Sequence, residues 1–221
     1  MSAEHCFELL NSNKIEELGN KVRSEPECAR ARDSAGISLL MHCLYRGQKQ
    51  LAELIASAKK DLDLFEAASL GRLDRLRELA DPSRVNARSA DGFTALHFAA
   101  FFGQPSAAKI LIENGAAVDA VAGNSMKVMP LHSAASARNL ETVRLLLENG
   151  APPNARQQSG WTPLHAAAQN GDSPMIELML KSGADPNAMN DDGKTPAATA
   201  REKGHAAIAA RLEAAAGNPP A

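Results

Sequence analysis

Gly160-Trp161-Thr162-Pro163-Leu164-His165-Ala166-Ala167-Ala168 is the stretch whose reading decides the fold. Thr162 can cap a helix start, and Pro163 suits the first helical position, with a fixed φ and no amide hydrogen to lose. Leu164, Ala167 and Ala168 recur at helical spacing, and the alanines are small enough for a neighbouring helix to approach closely. Asn170-Gly171 makes a turn. Met175 to Lys181 reads as a second helix with Ile176, Met179 and Leu180 on one side, and Gly183 ends it in the left-handed conformation. Ala184-Asp185-Pro186-Asn187-Ala188 leads into a hairpin-like finger toward the next unit.

The same unit recurs on either side. Thr94-Ala95-Leu96-His97, Met129-Pro130-Leu131-His132 and Thr162-Pro163-Leu164-His165 are separated by 35 and 33 residues, and Gly115, Gly150 and Gly183 repeat the same two steps. Gly103, Arg138, Gly171 and Gly204 follow at 35, 33 and 33. Markers sharing one period define a repeat array, and a period of about 33 with a Thr-Pro-Leu-His core resembles the ankyrin repeat. The resemblance is specific from Asp91 to about Leu212. It implies an all-α solenoid of about seven helix pairs joined by β-hairpin-like fingers.

Weaker copies extend the array toward the N-terminus. Ala35-Gly36-Ile37-Ser38-Leu39-Leu40-Met41 keeps the register with Met41 in place of histidine, and Gly47 holds the inter-helix turn. Leu64-Phe65-Glu66-Ala67-Ala68-Ser69-Leu70-Gly71 begins the next unit without the signature. Only 24 residues separate Gly47 from Gly71, so the finger between these units is expected to be missing or replaced by Ala58-Lys59-Lys60-Asp61, leaving the weakest joint of the array. One domain is expected over 1–216, with a cap-like unit at 1–34 and degenerate units at 35–60 and 61–90. Clear units follow at 91–123, 124–156 and 157–189, then a C-terminal cap at 190–216 and a frayed tail at 217–221. Terminal units of solenoids carry polar outer faces, as Arg201, Glu202, Lys203, Arg211 and Glu213 would here.

Composition excludes several classes. Net charge is −2, and no basic stripe is present to displace counterions from a phosphate backbone. Neither nucleic acid nor a membrane is therefore expected as a partner. The first ten residues lack a long apolar run, and no stretch approaches the roughly 18 apolar residues of a bilayer span, so a cytoplasmic location is expected. Cys6, Cys28 and Cys43 fit no zinc spacing, and the odd count reads as free thiols in a reducing compartment.

Residues with catalytic chemistry fail on geometry. Stacked units place successive helices about 10 Å apart, too far for His97, His132 and His165 to share a zinc ion at about 2.1 Å. The resemblance instead gives each histidine a bracing role toward local backbone and the helix-start threonine, with Met129 depriving His132 of that partner. His5-Cys6 and His42-Cys43 are sequence neighbours, which point in different directions on a helix. Asp191-Asp192-Gly193-Lys194-Thr195 lacks the first glycine of a phosphate loop and aligns with the ordinary unit start Asp91-Gly92-Phe93-Thr94. No catalytic residue, metal or cofactor is expected.

Function then falls to the surface. The resemblance implies binding through the fingers and the exposed face of each first helix. Tyr45, Phe93, Phe101, Phe102 and Trp161, five of the chain's eight aromatics, fall there. Met126, Val128, Gln169 and Asn170 share that surface by the same register, while Phe7, Phe65 and Phe98 are expected in the core. Aromatics are enriched at binding hot spots. The expected role is a non-catalytic, monomeric module that binds a protein or peptide, with Phe93, Phe101, Phe102, Met126, Val128 and Trp161 close together. The alternative is a regulatory inhibitor or secreted effector that covers an enzyme's active site. The family resemblance also places Asn86, Asn154 and Asn187 where some ankyrin proteins are hydroxylated.

Overall fold

A left-handed residue makes the turn within each helix pair: glycine in five of them, Asn13 in the first and Arg138 in the fifth. The computed structural model describes residues 3–217, and these form fourteen α-helices. They pair as α1 (Ala3–Asn11) with α2 (Ile15–Ser24), α3 (Leu39–Tyr45) with α4 (Lys49–Ala58), and α5 (Leu64–Leu70) with α6 (Leu73–Leu79). Then come α7 (Ala95–Phe101) with α8 (Pro105–Glu113), and α9 (Pro130–Ser136) with α10 (Leu140–Glu148). The array ends with α11 (Pro163–Asn170) and α12 (Ser173–Lys181), then α13 (Pro196–Glu202) and α14 (Ala206–Gly217). Gly217 closes α14 and so belongs to the last helix; residues 218–221 of the expected tail lie outside the described residues. Extended pairing among the described residues is confined to isolated bridges, Arg32 with Ser38 and Arg88 with Thr94.

The odd-numbered helices from α5 to α13 stack on one another in sequence order. Ala67, Ala68, Ala99, Ala100, Ala134, Ala135, Ala167 and Ala168 have no exposed surface and form the contact between layers, with Leu96, Leu131 and Leu164 buried beside them. Small side chains at the contact let helices close to the short end of the 8–10 Å packing range. One continuous apolar core results.

The three histidines brace the units. His97 Nδ1 lies 2.8 Å from Thr94 Oγ1, and its Nε2–H donates to the Val128 carbonyl of the next finger at 3.0 Å. His165 repeats this with Thr162 at 2.9 Å and the Lys194 carbonyl at 3.0 Å. His132 has only the Met129 amide at 3.1 Å on its Nδ1 side, because methionine brings no hydroxyl, but still donates to the Ala155 carbonyl at 3.0 Å. A ring that accepts at Nδ1 and donates at Nε2 is a neutral imidazole. Burial holds all three below the usual histidine range, and His97 is lowered to about 4.

Fingers are tied to one another by main-chain bonds. The Gly123 amide donates to Gly92 at 2.8 Å, Gln158 to Met126 at 2.9 Å and Asp191 to Ser159 at 3.0 Å. Gly92 is required for the first tie: its φ is +88°, and a Cβ there would come within 3.0 Å of Gly123 backbone.

The ladder stops at the irregular joint. Five residues connect α4 to α5, and no finger forms there. Asp63 caps α5 through the Glu66 amide at 2.9 Å, while the Glu66 carboxylate accepts from the Asp63 amide at 3.0 Å. Glu66 thus occupies the histidine's place, and its charge is met by the buried Lys59. α3 and α5 come close only sparsely, in contrast to every later pair of inner helices. The fingers on either side meet over the gap, where a Cβ on Gly36 would lie 3.7 Å from Ala90.

One expectation is corrected. Cys6 and Cys28 are not free thiols: they are joined as a disulfide, with Cα atoms 6.6 Å apart. Pairing links α1 to the short 3-10 turn Pro26–Arg30, which packs on α4. The odd count leaves Cys43 as the free thiol, and burial pushes it up to about 12, which removes it from reactive chemistry.

Candidate functional site

The inner helices α7, α9 and α11 carry no Asp, Glu, Lys or Arg. The exposed faces of α7 and α9, with Tyr45 at the end of α3 and the neighbouring fingers, enclose an apolar hollow of about 440 Å³. Tyr45, Phe93, Phe101, Met126 and Val128 line it, as do Phe98, His97, His132, Ser133, Ser136 and Gln157. Phe101, Met126 and Tyr45 are 49%, 45% and 41% exposed, which is unusual for large apolar side chains and marks the hollow's rim.

Aromatic packing holds the floor in place. Phe98 is buried at the centre, with its ring centroid 5.7 Å from Phe93, 5.9 Å from Phe65 and 6.5 Å from Tyr45. Phe101 meets Phe102 edge-on at 5.1 Å, and Phe102 stacks on Tyr45 at 6.3 Å. These separations suit edge-to-face and offset contacts. Phe102 therefore backs the rim against the core and does not line the hollow. The Tyr45 hydroxyl donates to the Asp91 carboxylate across the gap left by the missing finger. Burial, together with that bond, raises the hydroxyl's pKa and keeps it a donor.

Trp161, Gln169 and Asn170 are elsewhere. They line a second, more polar hollow of about 400 Å³ with Gln157, Gln158 and Ser159. Ser136 and Gln157 form the ridge between the two hollows. Trp161 is half-buried against His165, centroid to centroid 5.4 Å, and Asn170 is engaged by its Nδ2 bond to the Ala135 carbonyl at 3.2 Å. The six residues expected to cluster thus divide into four in the apolar hollow, Phe102 behind its rim and Trp161 next door.

The sequence places Phe98 in the core and Ser136 at the exposed end of its helix, and gives Gln157 no role. Phe98 is buried, yet one face of its ring floors the hollow. Gln157 stands four residues before Trp161, as Ser89 does before Phe93, and this shared finger register is the signal that could have found it. The finger asparagines also have a task. Asn86 bonds the Gly115 carbonyl at 2.9 Å and the Ala117 amide at 2.8 Å, and Asn154 bonds Gly183 at 2.9 Å and Asp185 at 2.7 Å. Each staples its unit to the next.

No group of three or more metal-ligating side chains converges among the described residues, and no helix of the described chain is long and apolar enough to cross a membrane. The family description "Ankyrin repeats (3 copies)" matches residues 64–157 and 131–217. The chain is 35% identical over 99 residues to palmitoyltransferase Hip14 of Drosophila melanogaster, covering 44% of this chain and 15% of that protein. It is 42% identical over 82 residues to human BCL-6 corepressor-like protein 1, covering 37% of this chain and 4% of the relative. It is 36% identical over 97 residues to the mouse B-cell lymphoma 3 protein homolog, covering 44% and 19%. The chain thus spans under a fifth of each of these relatives. Period, braced histidines, stacked helix pairs and family match agree: the chain belongs to the ankyrin-repeat family, whose repeats generally mediate protein–protein interaction.

Proposed function

We propose that this protein is a non-catalytic binding module that docks a protein or peptide through the apolar hollow bordered by Tyr45, Phe93, Phe101, Met126 and Val128. One observation carries the reading: large apolar side chains stand exposed around a concavity whose walls bear no charged helix residue. Burying such a rim gains roughly 25 cal/mol per Å² of apolar surface, and a few aromatic anchors dominate most interfaces. Trp161, Gln169 and Asn170 would extend the footprint into the polar hollow.

A photo-cross-linking side chain at position 101, with a control at the exposed Glu148 on the opposite layer, tests this in native extract. Position 101 should yield discrete adducts, and Phe101→Ala should weaken capture of the same protein by about tenfold. Equal adducts from both positions, or affinity within about twofold of the parent, would sink the proposal.

A further inference from the structure

On that reading of the hollow, we infer that its occupant is an extended peptide segment with a large apolar residue at its centre and carboxylates beside it. The shape comes first. Tyr45 and Phe98 border both the apolar hollow and a window of about 280 Å³ left by the missing finger. Ser136 and Gln157 border both the apolar hollow and the polar one. The three concavities therefore form one track from Ile37 to Asn170, longer than a compact ligand would fill. A chain in extended conformation advances about 3.3 Å per residue and crosses several units without folding.

The polar end of the track suits a bare backbone. Among the described residues, the side chains of Gln157, Gln158 and Gln169 make no hydrogen bond. A primary amide offers two donors and an acceptor, which matches alternating peptide N–H and C=O groups.

Charge at the rim sets the sign. The fingers bordering the apolar hollow carry Arg88, Asp91, Asp119, Lys127 and Arg156. Asp91 accepts from the Tyr45 and Ser89 hydroxyls, and Arg156 is held by Asp191 and the Met189 carbonyl. Arg88 and Lys127 have no ion pair among the described residues. Arg88 lies close, since it borders the window that shares Tyr45 and Phe98 with the hollow. Lys127 stands between the lining residues Met126 and Val128, whereas the exposed Asp119 borders none of the three concavities, so complementarity along the track favours an acidic partner. Two cations are too few to neutralise a nucleic-acid track.

The test is fluorescence anisotropy on the full chain with short fluorescein-labelled peptides. One has a Leu-Phe centre with glutamate flanks, a second the same centre with lysine flanks, and a third glutamate flanks around glycine; labelled oligothymidylate is the fourth probe. The first peptide should bind roughly tenfold more tightly than each of the others at low salt, and its lead over the second should shrink as salt rises. Arg88→Glu with Lys127→Glu should abolish or invert that lead while the far-ultraviolet circular dichroism stays unchanged. Equal affinity for both flanks, no binding by any peptide, or oligothymidylate matching the first peptide would overturn the inference. Position-101 adducts that survive such a result would show that the docking reading stands and only the acidic occupant fails.

Discussion

The Lys59 ammonium bonds both carboxylate oxygens of Glu66, at 2.8 and 2.7 Å, with both side chains buried. This pair stands where later units use a histidine and a finger. Glu66 reaches the Asp63 amide three residues back at the helix start, as His97 reaches Thr94, but it turns its charge toward Lys59 of the preceding segment. Removing one partner of a buried pair leaves the other charge uncompensated, at about 3–5 kcal/mol. Lys59→Met should therefore lower stability by that order in urea denaturation. Lys59→Met with Glu66→Gln, which keeps the helix cap, should recover at least half of the loss. A single substitution costing under about 1 kcal/mol would show that the pair is solvated in solution.

Asn154 and Asn86 each carry two bonds to the following unit. Either change to alanine should cost about 1–2 kcal/mol, the net worth of two partly exposed hydrogen bonds. Asp119 stands four residues after Gly115, as Asn154 does after Gly150, and the residue that would face it as a donor is Pro152, which has no amide hydrogen. Asp119→Asn should thus gain little. Thermal melts of the three variants check the ranking; a stabilising Asp119→Asn as large as the Asn154→Ala loss would refute the staple.

His97 gives the fold a pH dependence of defined sign. Its folded value is about 4, against about 6.5 in an unfolded chain. Between these values the unfolded chain binds the extra proton, so stability is complete above about pH 6.5 and falls as pH drops toward 4. The full loss from this residue is on the order of 3 kcal/mol. His132 and His165 act in the same direction, their protonated forms also disfavoured by burial. Urea midpoints measured from about pH 7.5 to about pH 4.5 should fall, and the slope should flatten in His97→Gln. An unchanged slope in that variant would assign the dependence to other groups.

Much of this was legible in the sequence because each marker has one physical task. Gly171 must turn left-handed, Pro163 must start a helix, and the alanines must admit a neighbouring helix. The missing finger was legible as a short count between Gly47 and Gly71. What replaces it was written in Asp63-Leu64-Phe65-Glu66, a capping box, but a search for histidine passes over it. The Cys6–Cys28 pairing was not legible, since spacing alone fixes no connectivity and an odd count is satisfied by one bridge and one thiol. The division of the aromatic surface was hidden for a different reason. Register assigns Phe101 and Trp161 to the same kind of surface, but the ridge of Ser136 and Gln157 exists only once units are stacked.

The sparse contact between α3 and α5 has a mechanical meaning. Later units are coupled twice, through inner helices and through finger-to-finger main-chain bonds, and so resist bending as a laminate does. At the irregular joint both couplings thin out, and side chains bridge it instead: Tyr45 to Asp91, Arg32 to Asp63, Arg72 to Glu53 and Ser69 to Met41. A solenoid is held by its nearest-neighbour interfaces, so this seam should be the first to part under denaturant, with the first two units leaving the rest of the array together.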